Sequence, residues 1–298
     1  MNRLHIATRS IRRESVHGFR YAMAWFAQRF HLRFVRRHLE GLPAATPADD
    51  ARPITVVIPA VEKDADVLEP CLRSVRQFVR NRIEAIWVVA PDSPRLRTLA
   101  EAAQATLVPE DTLLPRPARE LKTRGWVLQQ LIKLNACHRV PTADYLVLDA
   151  DTVFLRPQSF VRGGRAVLRY SDQYELLYNR SLQLVFGHGR RFPVSFVTHH
   201  QLFQVAAVKG LLALLEQRFG RPWWEAILHE MDQGHLISFS EYELYGHFVV
   251  GQPDWRKSVA LQYWHGLDRD QSDLPGLAEL LRSAGPRCNS VSYHAHTQ

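Results

Sequence analysis

Two aspartates one residue apart, Asp149 and Asp151, follow a short apolar run near the middle of the chain. The run, Tyr-Leu-Val-Leu at 145–148, has no polar alternation, which is typical of a strand covered on both faces in a parallel sheet. Ligands of such sheets bind at the carboxyl ends of the strands, where these acids are expected to lie. Residues two apart in a strand share a face, so both carboxylates can reach one point. Because neighbouring carboxylates repel, the pair favours a site for Mg²⁺ or Mn²⁺ shared with substrate phosphates.

An aspartate pair of this kind also occurs in ordinary surface turns, where aspartate is common. D-x-D is a short motif and matches many sequences by chance. The buried run before it and the apolar residues 153–155 after it favour the functional interpretation.

The rest of the chain alternates between short apolar runs, typical of buried strands, and apolar residues at helical spacing. This order predicts an α/β fold with an open, doubly wound, mainly parallel sheet whose fourth strand carries the acid pair. The predicted strands are 54–59, 83–90, 106–108, 145–148, 166–169 and a segment around 194–198. The predicted helices are 65–80, 95–104, 125–139, 174–186, 205–219 and one that starts near 222, with an irregular basic loop at 111–124.

Composition indicates an ordinary globular protein, since 46% of the 298 residues are hydrophobic and 23% are charged. Cys71, Cys137 and Cys288 are far apart and show no metal-binding spacing, which favours reduced thiols in a cytosolic setting. Residues 43–52 are predicted to be a linker of small residues and prolines. Because no second linker follows, residues 53–298 are predicted to form a single domain.

The net charge of +8 is concentrated in residues 1–42, where nine arginines and two glutamates give +7 (9 − 2). The other residues carry only +1, which argues against nucleic-acid binding. Phe19, Met23, Phe26 and Phe30 recur at helical spacing among the arginines and predict an amphipathic leader helix. Such a helix suits an anionic membrane surface, packing on the protein's own body, or a mitochondrial transit peptide. No apolar stretch approaches the roughly 18 residues that span a bilayer.

Several segments resemble glycosyltransferases of the GT-A type, which carry a D-x-D on the fourth strand of a nucleotide-binding half. Strand 54–59, with the helix through 71–75, is similar to their first βα unit. Segments 125–134 and 239–246 resemble a bacterial group of uncharacterised GT-A-like proteins. The resemblance covers about residues 53–298. It implies a nucleotide-sugar donor, Mn²⁺ or Mg²⁺ as cofactor, and a glycan or lipid-linked acceptor, as in polysaccharide biosynthesis.

Carried over by position, the resemblance implies a donor site around the acid pair. Asp149 would face the ribose, or the metal through water; Asp151 would bind the metal directly, and Ala150 would lie between them against the donor. Lys133 and Gln129, four residues apart on the preceding helix, would face the donor from one side. The alternative for both is a solvated position on an ordinary amphipathic helix. The cation would stabilise charge that develops on the leaving diphosphate.

Related enzymes often add a C-terminal histidine as a further metal ligand. Two histidines here end short strand-like runs, His294 and His265; His294 is favoured, with His296 as its neighbouring fallback. His199 and His200 follow another apolar run, and in a strand they would point to opposite faces. At most one of them therefore faces a pocket.

A catalytic base is expected at the start of a helix beyond the sheet, where inverting GT-A enzymes place an acid. Ser240 and Glu243 fit a capping box, with the carboxylate of Glu243 reaching back to the N–H of Ser240. That leaves Glu241 in the first turn as the favoured base, which would take the proton from the acceptor hydroxyl. In the alternative, Glu243 is the base and Glu241 is solvated.

Two other functions remain open at this point. A haloacid-dehalogenase-type phosphatase also ends a parallel strand in D-x-D, although here the motif lies about 150 residues into the chain. A membrane-associated scaffold could keep a GT-A-like fold without turnover. The favoured prediction is a cytoplasmic glycosyltransferase, held at the inner face of the membrane if the leader binds lipid.

Overall fold

The computed structural model describes residues 42–173, 176–190, 194–231, 239–270, 277–283 and 288–294, together with Phe26. The predicted leader helix lies outside these residues, apart from Phe26, which is helical and exposed. In the part of the chain that is described, no helix is long and apolar enough to cross a membrane.

Strands and helices alternate along the described residues up to the acid pair, as the sequence predicts. The strands are β1 (Ile54–Pro59), β2 (Ile83–Ala90), β3 (Thr106–Pro109), β4 (Asp144–Leu148), β5 (Thr152–Phe154), β6 (Val161–Arg162), β7 (Arg165–Tyr170), β8 (His200–Gln204), β9 (Val259–Tyr263), β10 (Gly266–Asp270) and β11 (Ser290–His294). The helices are α1 (Pro47–Ala51), α2 (Ala65–Phe78), α3 (Pro94–Ala102), α4 (Ala118–Leu121), α5 (Gly125–Asn135), α6 (Leu176–Phe186), α7 (Val205–Phe219), α8 (Trp223–Ala226), α9 (Glu241–Gly251), α10 (Trp255–Ser258) and α11 (Leu277–Ser283).

The central sheet has the order β3-β2-β1-β4-β8. Its first four strands are parallel, and β8 is antiparallel to β4. Every residue of β1 and of β4 is buried. Such strands must be almost wholly apolar, which is why short apolar runs identify them in the sequence. The protein is therefore a mixed α/β fold with a mainly parallel central sheet.

Two three-stranded sheets flank the central one, with the orders β10-β11-β5 and β6-β7-β9. Gln201 of β8 connects the central sheet to the second of these. Its side-chain Oε1 accepts from the backbone N–H of Arg169 in β7, and its Nε2 donates to the backbone oxygen of Arg169, both at 2.8 Å. An amide side chain thus makes the pair of hydrogen bonds that a neighbouring strand would otherwise make.

The strand predicted around 194–198 is wrong, because the strand beside β4 is β8, a few residues further on. Residues 194–198 contribute only an isolated bridge between Ser195 and Ser171. Apart from this bridge, several of their polar groups bind side chains and not a neighbouring strand. The carboxylate of Glu243 accepts from the hydroxyl of Ser195 at 2.6 Å and from the N–H of Phe196 at 3.4 Å. The apolar run is therefore buried without being a strand.

Two segments predicted to be irregular contain short helices. The proposed linker at 43–52 includes α1, and the basic loop at 111–124 includes α4. Asp49 of α1 is buried, and its carboxylate accepts from Gly164 N at 2.7 Å and Gly163 N at 3.0 Å. These backbone hydrogen bonds, led by the one from Gly164, lower the pKa of Asp49. They fix α1 against the turn between β6 and β7.

Gly246 in α9 is expected to be intolerant of any side chain. A Cβ at this position would lie 2.1 Å from Cγ of the buried ring of Phe196. Gly246→Ala should therefore lower the free energy of unfolding by about 1–3 kcal/mol, measured by urea denaturation. Gly251→Ala in the same helix is the control, since a Cβ there meets nothing within 4 Å. Equal effects at the two positions would contradict the close packing of α9 on Phe196.

Candidate functional site

Asp149 and Asp151 lie in the turn that follows β4, at the carboxyl end of a central strand. Thr152 N donates to the Asp149 backbone oxygen at 3.0 Å, and Tyr293 N of β11 donates to the Asp151 backbone oxygen at 2.9 Å. The turn, and not the alternation of a regular strand, therefore brings both side chains to one cavity. The parallel order of the sheet also ends here, because β8 runs antiparallel to β4. Open α/β sheets bind ligands at the carboxyl ends of their strands.

The carboxylate of Asp149 is held on both of its oxygens. Lys133 Nζ and Tyr242 OH donate to Oδ1, the latter at 3.0 Å, and His199 Nδ1 lies 3.2 Å from Oδ2. Burial alone would raise the pKa of Asp149, but the charges of Lys133 and His199 outweigh it and lower this pKa. Asp149 is therefore an ionised group with a fixed orientation.

Lys133 joins this carboxylate to a second one. Its side chain is 5% exposed, and Nζ donates to Glu241 Oε1 at 2.6 Å and to Tyr242 OH at 3.2 Å. Burial would lower the pKa of Lys133, but the Asp149 and Glu241 carboxylates raise it. Burial raises the pKa of Glu241, against the opposing effect of Lys133. A charged lysine thus lies between two carboxylates that come from distant parts of the chain.

His199 makes the corresponding connection on the other side of Asp149. Its Nε2 lies 3.5 Å from Asp268 Oδ1 of β10, and its ring meets the ring of Trp264 edge-on, with centroids 5.3 Å apart. Burial would lower the pKa of His199, but hydrogen bonds to the two aspartates raise it to about 10. The imidazole is therefore charged at neutral pH.

A cavity of about 480 Å³ is bounded by these groups. Its described lining carries five carboxylates against three cations, two lysines and the charged His199, so its charge is negative before any ligand enters. Burial raises the pKa of one of these carboxylates, Asp64. The carboxylates are Asp64, Asp149, Asp151, Glu241 and Asp268, and the lysines are Lys63 and Lys133. The aromatic side chains in the lining are Trp126, Tyr178, Tyr242 and Tyr293.

The residues that the sequence assigns to donor binding all line this cavity: Asp149, Ala150, Lys133 and Gln129. The structure adds Gln130, whose side-chain Oε1 accepts from the backbone N–H of Glu241 at 3.0 Å. This hydrogen bond ties the start of α9 to α5.

Glu243 lies outside the cavity lining, and the predicted capping box is only half correct. Ser240 Oγ accepts from Glu243 N at 3.4 Å, as expected for a helix cap. The Glu243 carboxylate does not return to Ser240; it binds Arg190 Nη2 and Ser195 Oγ, each at 2.6 Å, and lies 3.2 Å from His247 Nε2. Burial would raise the pKa of Glu243, but Arg190 and His247 lower it to about 2. The Glu243 carboxylate therefore pairs with the buried Arg190 guanidinium and does not cap the start of α9.

The predicted metal ligands are only partly brought together. Among the described residues, no three histidine, cysteine or acidic side chains are grouped as a metal site. Asp151 faces the cavity and suits a cation shared with ligand phosphates, whereas both oxygens of Asp149 already bind protein groups. His265 is not part of the described cavity lining. His294 ends β11, but its side chain, like the whole of His296, lies outside the described residues.

Residues 51–283 match the family of unknown function DUF6492. The chain belongs to this family. The DUF6492 match runs from α1 to α11 and includes Lys133, Asp149, Asp151, His199 and Glu241. Most of the site described above therefore lies in the DUF6492 region, while β11 lies beyond it. No curated protein matches the chain.

Sequence reasoning missed three groups that complete the site of this DUF6492 protein: Tyr242, Asp268 and Gln130. Tyr242 lies between Glu241 and Glu243, the two candidate bases at the start of the helix. A tyrosine at such a position is typical of the core, so the sequence does not indicate a role in the site. Asp268 lies on a strand that follows no recognisable motif. His199 was one of two candidates, and the structure places it in the cavity while His200 packs edge-on against Phe154 on the opposite side.

Proposed function

We propose that this DUF6492 protein is a glycosyltransferase that moves a sugar from a nucleotide-diphosphate sugar to a glycan or lipid-linked acceptor. The observation that carries the proposal is the carboxylate pair at the end of β4, facing a cavity of about 480 Å³. A cavity of this size falls within the range of sites for small ligands and cofactors. The mainly parallel sheet that ends in an antiparallel neighbour supports a ligand site at this edge.

The charge of the cavity supports a requirement for a cation. Among the described lining residues, five carboxylates outnumber three cations, the two lysines and His199, so the cavity would repel a diphosphate. In the proposal, Asp151 would hold Mn²⁺ or Mg²⁺, which would supply positive charge beside the leaving diphosphate. Asp149, held by Lys133 and His199, would contact the donor directly or through water.

Glu241 is the group that the proposal assigns to deprotonating the acceptor hydroxyl. Its carboxylate lines the cavity, and burial raises its pKa, which makes the carboxylate a stronger base. Lys133 fixes its orientation. Trp126 and Tyr178 offer aromatic faces in the same cavity, on which a sugar ring can pack.

The choice of a lipid-linked acceptor rests on the leader alone. Residues 1–42 carry +7 together with several large aromatic side chains. Each basic residue near an anionic surface contributes about 1 kcal/mol, so a few arginines would suffice for reversible attachment. The proposal therefore places the enzyme in the cytoplasm at the inner face of the membrane.

A nucleotide-sugar screen by thermal shift, with and without Mn²⁺, tests the proposed function. At about 100 times its Kd, a ligand of the native state adds about 2.7 kcal/mol, a rise in Tm of about 5 °C. We expect this rise with one class of donor, and only with Mn²⁺ or Mg²⁺. Asp151→Asn should abolish the metal-dependent part. Asp254→Asn, at an exposed position in an ion pair with Lys257, should leave it unchanged.

Two further results, one from this screen and one from incubation with a phosphate ester, would support the rival functions. If no donor shifts Tm with either metal, the protein is not a glycosyltransferase and the scaffold interpretation is supported. If a phosphorylated enzyme accumulates with a phosphate ester and disappears in Asp149→Asn, the phosphatase interpretation is supported.

A further inference from the structure

His199 has a backbone conformation that non-glycine residues seldom adopt, with a φ of 61°. Among the described residues, Gln104 and Lys122 are the other non-glycine residues with positive φ, and neither lines the cavity. The left-handed backbone conformation has a higher free energy than the ordinary ones for a non-glycine residue. It persists only where the surrounding structure imposes it.

The conformation lets His199 contact Asp149 with both its backbone and its ring. The backbone oxygen of His199 accepts from Asp149 N at 2.9 Å, one step beyond the last ladder pair of β4 and β8, Leu148 with His200. The ring of the same residue turns back so that Nδ1 lies 3.2 Å from Asp149 Oδ2. A residue that simply continued β8 would direct its side chain by the alternation of the strand, not by the position of Asp149.

The ring also completes a row of alternating charges along the cavity. From α9 to β10 the row runs Glu241, Lys133, Asp149, His199, Asp268, and each member contacts the next. Asp149 is the centre of this row, with one carboxylate oxygen facing Lys133 and the other facing His199. Oδ1 also accepts from Tyr242 OH, so loss of His199 removes the contact that holds the other oxygen, Oδ2.

We propose that His199 is a positioning residue for the ligand site: its strained backbone and its ring fix the Asp149 carboxylate, and so the face that Asp149 presents to a nucleoside diphosphate. This inference rests on the proposed function. Outer-shell groups that orient metal ligands typically contribute 10- to 100-fold to metal affinity or activity, and we expect an effect of this order from a group that orients Asp149.

The test compares two substitutions of His199 with a matched control in the full chain. His199→Gly relieves the left-handed strain but removes the ring, whereas His199→Asn tolerates the conformation and keeps one hydrogen-bond donor. Gln104→Gly is the control, because Gln104 is also left-handed but its side chain is exposed and is not part of the cavity lining. The readout is the Kd of each folded variant for UDP, GDP, ADP and CDP with Mn²⁺, measured by calorimetry.

We expect His199→Gly to weaken binding of the nucleotide that wild type prefers by at least tenfold, and His199→Asn to recover part of the loss. Gln104→Gly should bind like wild type. If both His199 variants bind like wild type, the conformation is only structural and the inference is overturned while the proposed function stands. If wild type itself binds none of the four nucleotides, the proposed function and this inference fall together. If His199→Gly does not fold, His199→Asn decides by the same criterion, and its Kd must exceed that of wild type.

Discussion

Replacing Lys133 with methionine should lower the free energy of unfolding by about 3–5 kcal/mol, the loss expected when one member of a buried ion pair is removed. Methionine fills a similar volume, so the loss reports charge more than packing. It leaves Glu241, with a 3% exposed side chain, and Asp149 without their shared cation. Urea denaturation at neutral pH measures the change.

Two further variants show whether the charges cause this loss. Lys257→Met removes an exposed lysine that pairs with Asp254, and should cost no more than about 1 kcal/mol. Glu241→Gln in the Lys133→Met background removes one of the stranded charges and should restore part of the stability. If Lys133→Met costs no more than Lys257→Met, the row of alternating charges does not stabilise the fold.

Glu243→Gln should cost about 3 kcal/mol at pH 7, with a loss that depends on pH. The pKa of Glu243 is lowered from 4.5 to about 2 in the folded protein, and each unit corresponds to about 1.4 kcal/mol. Because the folded pKa lies below the unfolded one, the stabilisation is fully present above pH 4.5. It is lost as the pH falls towards 2. The difference in stability between wild type and Glu243→Gln should therefore shrink across this interval.

Glu69→Gln is the matched control for Glu243→Gln. Glu69 pairs with Arg73 one helical turn away, and both side chains are more than half exposed. Exposed pairs of this kind contribute about 0.3–0.5 kcal/mol, so this variant should stay near wild type at every pH. A pH-independent loss in Glu243→Gln would mean that Arg190 and His247 do not hold the carboxylate ionised.

The sequence predicts the central sheet well because burial leaves its strands little choice of residue. Strands 54–59 and 83–90 are rich in apolar residues, and the structure places both at the predicted bounds. The same reasoning fails at 194–198, where the apolar run is equally good. There the backbone N–H of Phe196 donates to Glu243, 47 residues away, and the backbone of Ser195 pairs with Ser171, so no local pattern carries that information.

The residues of the site also divide into those that the sequence predicts and those that only the fold brings together. Asp149 and Asp151 are marked by the strand before them, and Lys133 by its place on the preceding helix. The partner of Lys133, Glu241, is 108 residues distant, so only the fold brings the two together. No sequence pattern predicts the left-handed backbone conformation of His199, because glycine usually marks such a position and neither this residue nor its neighbours are glycine.

The pairing of β11 with β5 has a consequence for how the protein is made. Thr152, next to the acid pair, shares a 2.9 Å hydrogen bond with Ser292, a residue 140 positions later. At 5–20 residues per second, a ribosome needs roughly 10–30 s to synthesise the intervening chain. Throughout that interval the turn that carries Asp151 lacks β11, whose Tyr293 N–H binds the Asp151 backbone oxygen. The site therefore cannot take its final form until β11 has been synthesised, and ribosome stalling before β11 would leave it unfinished.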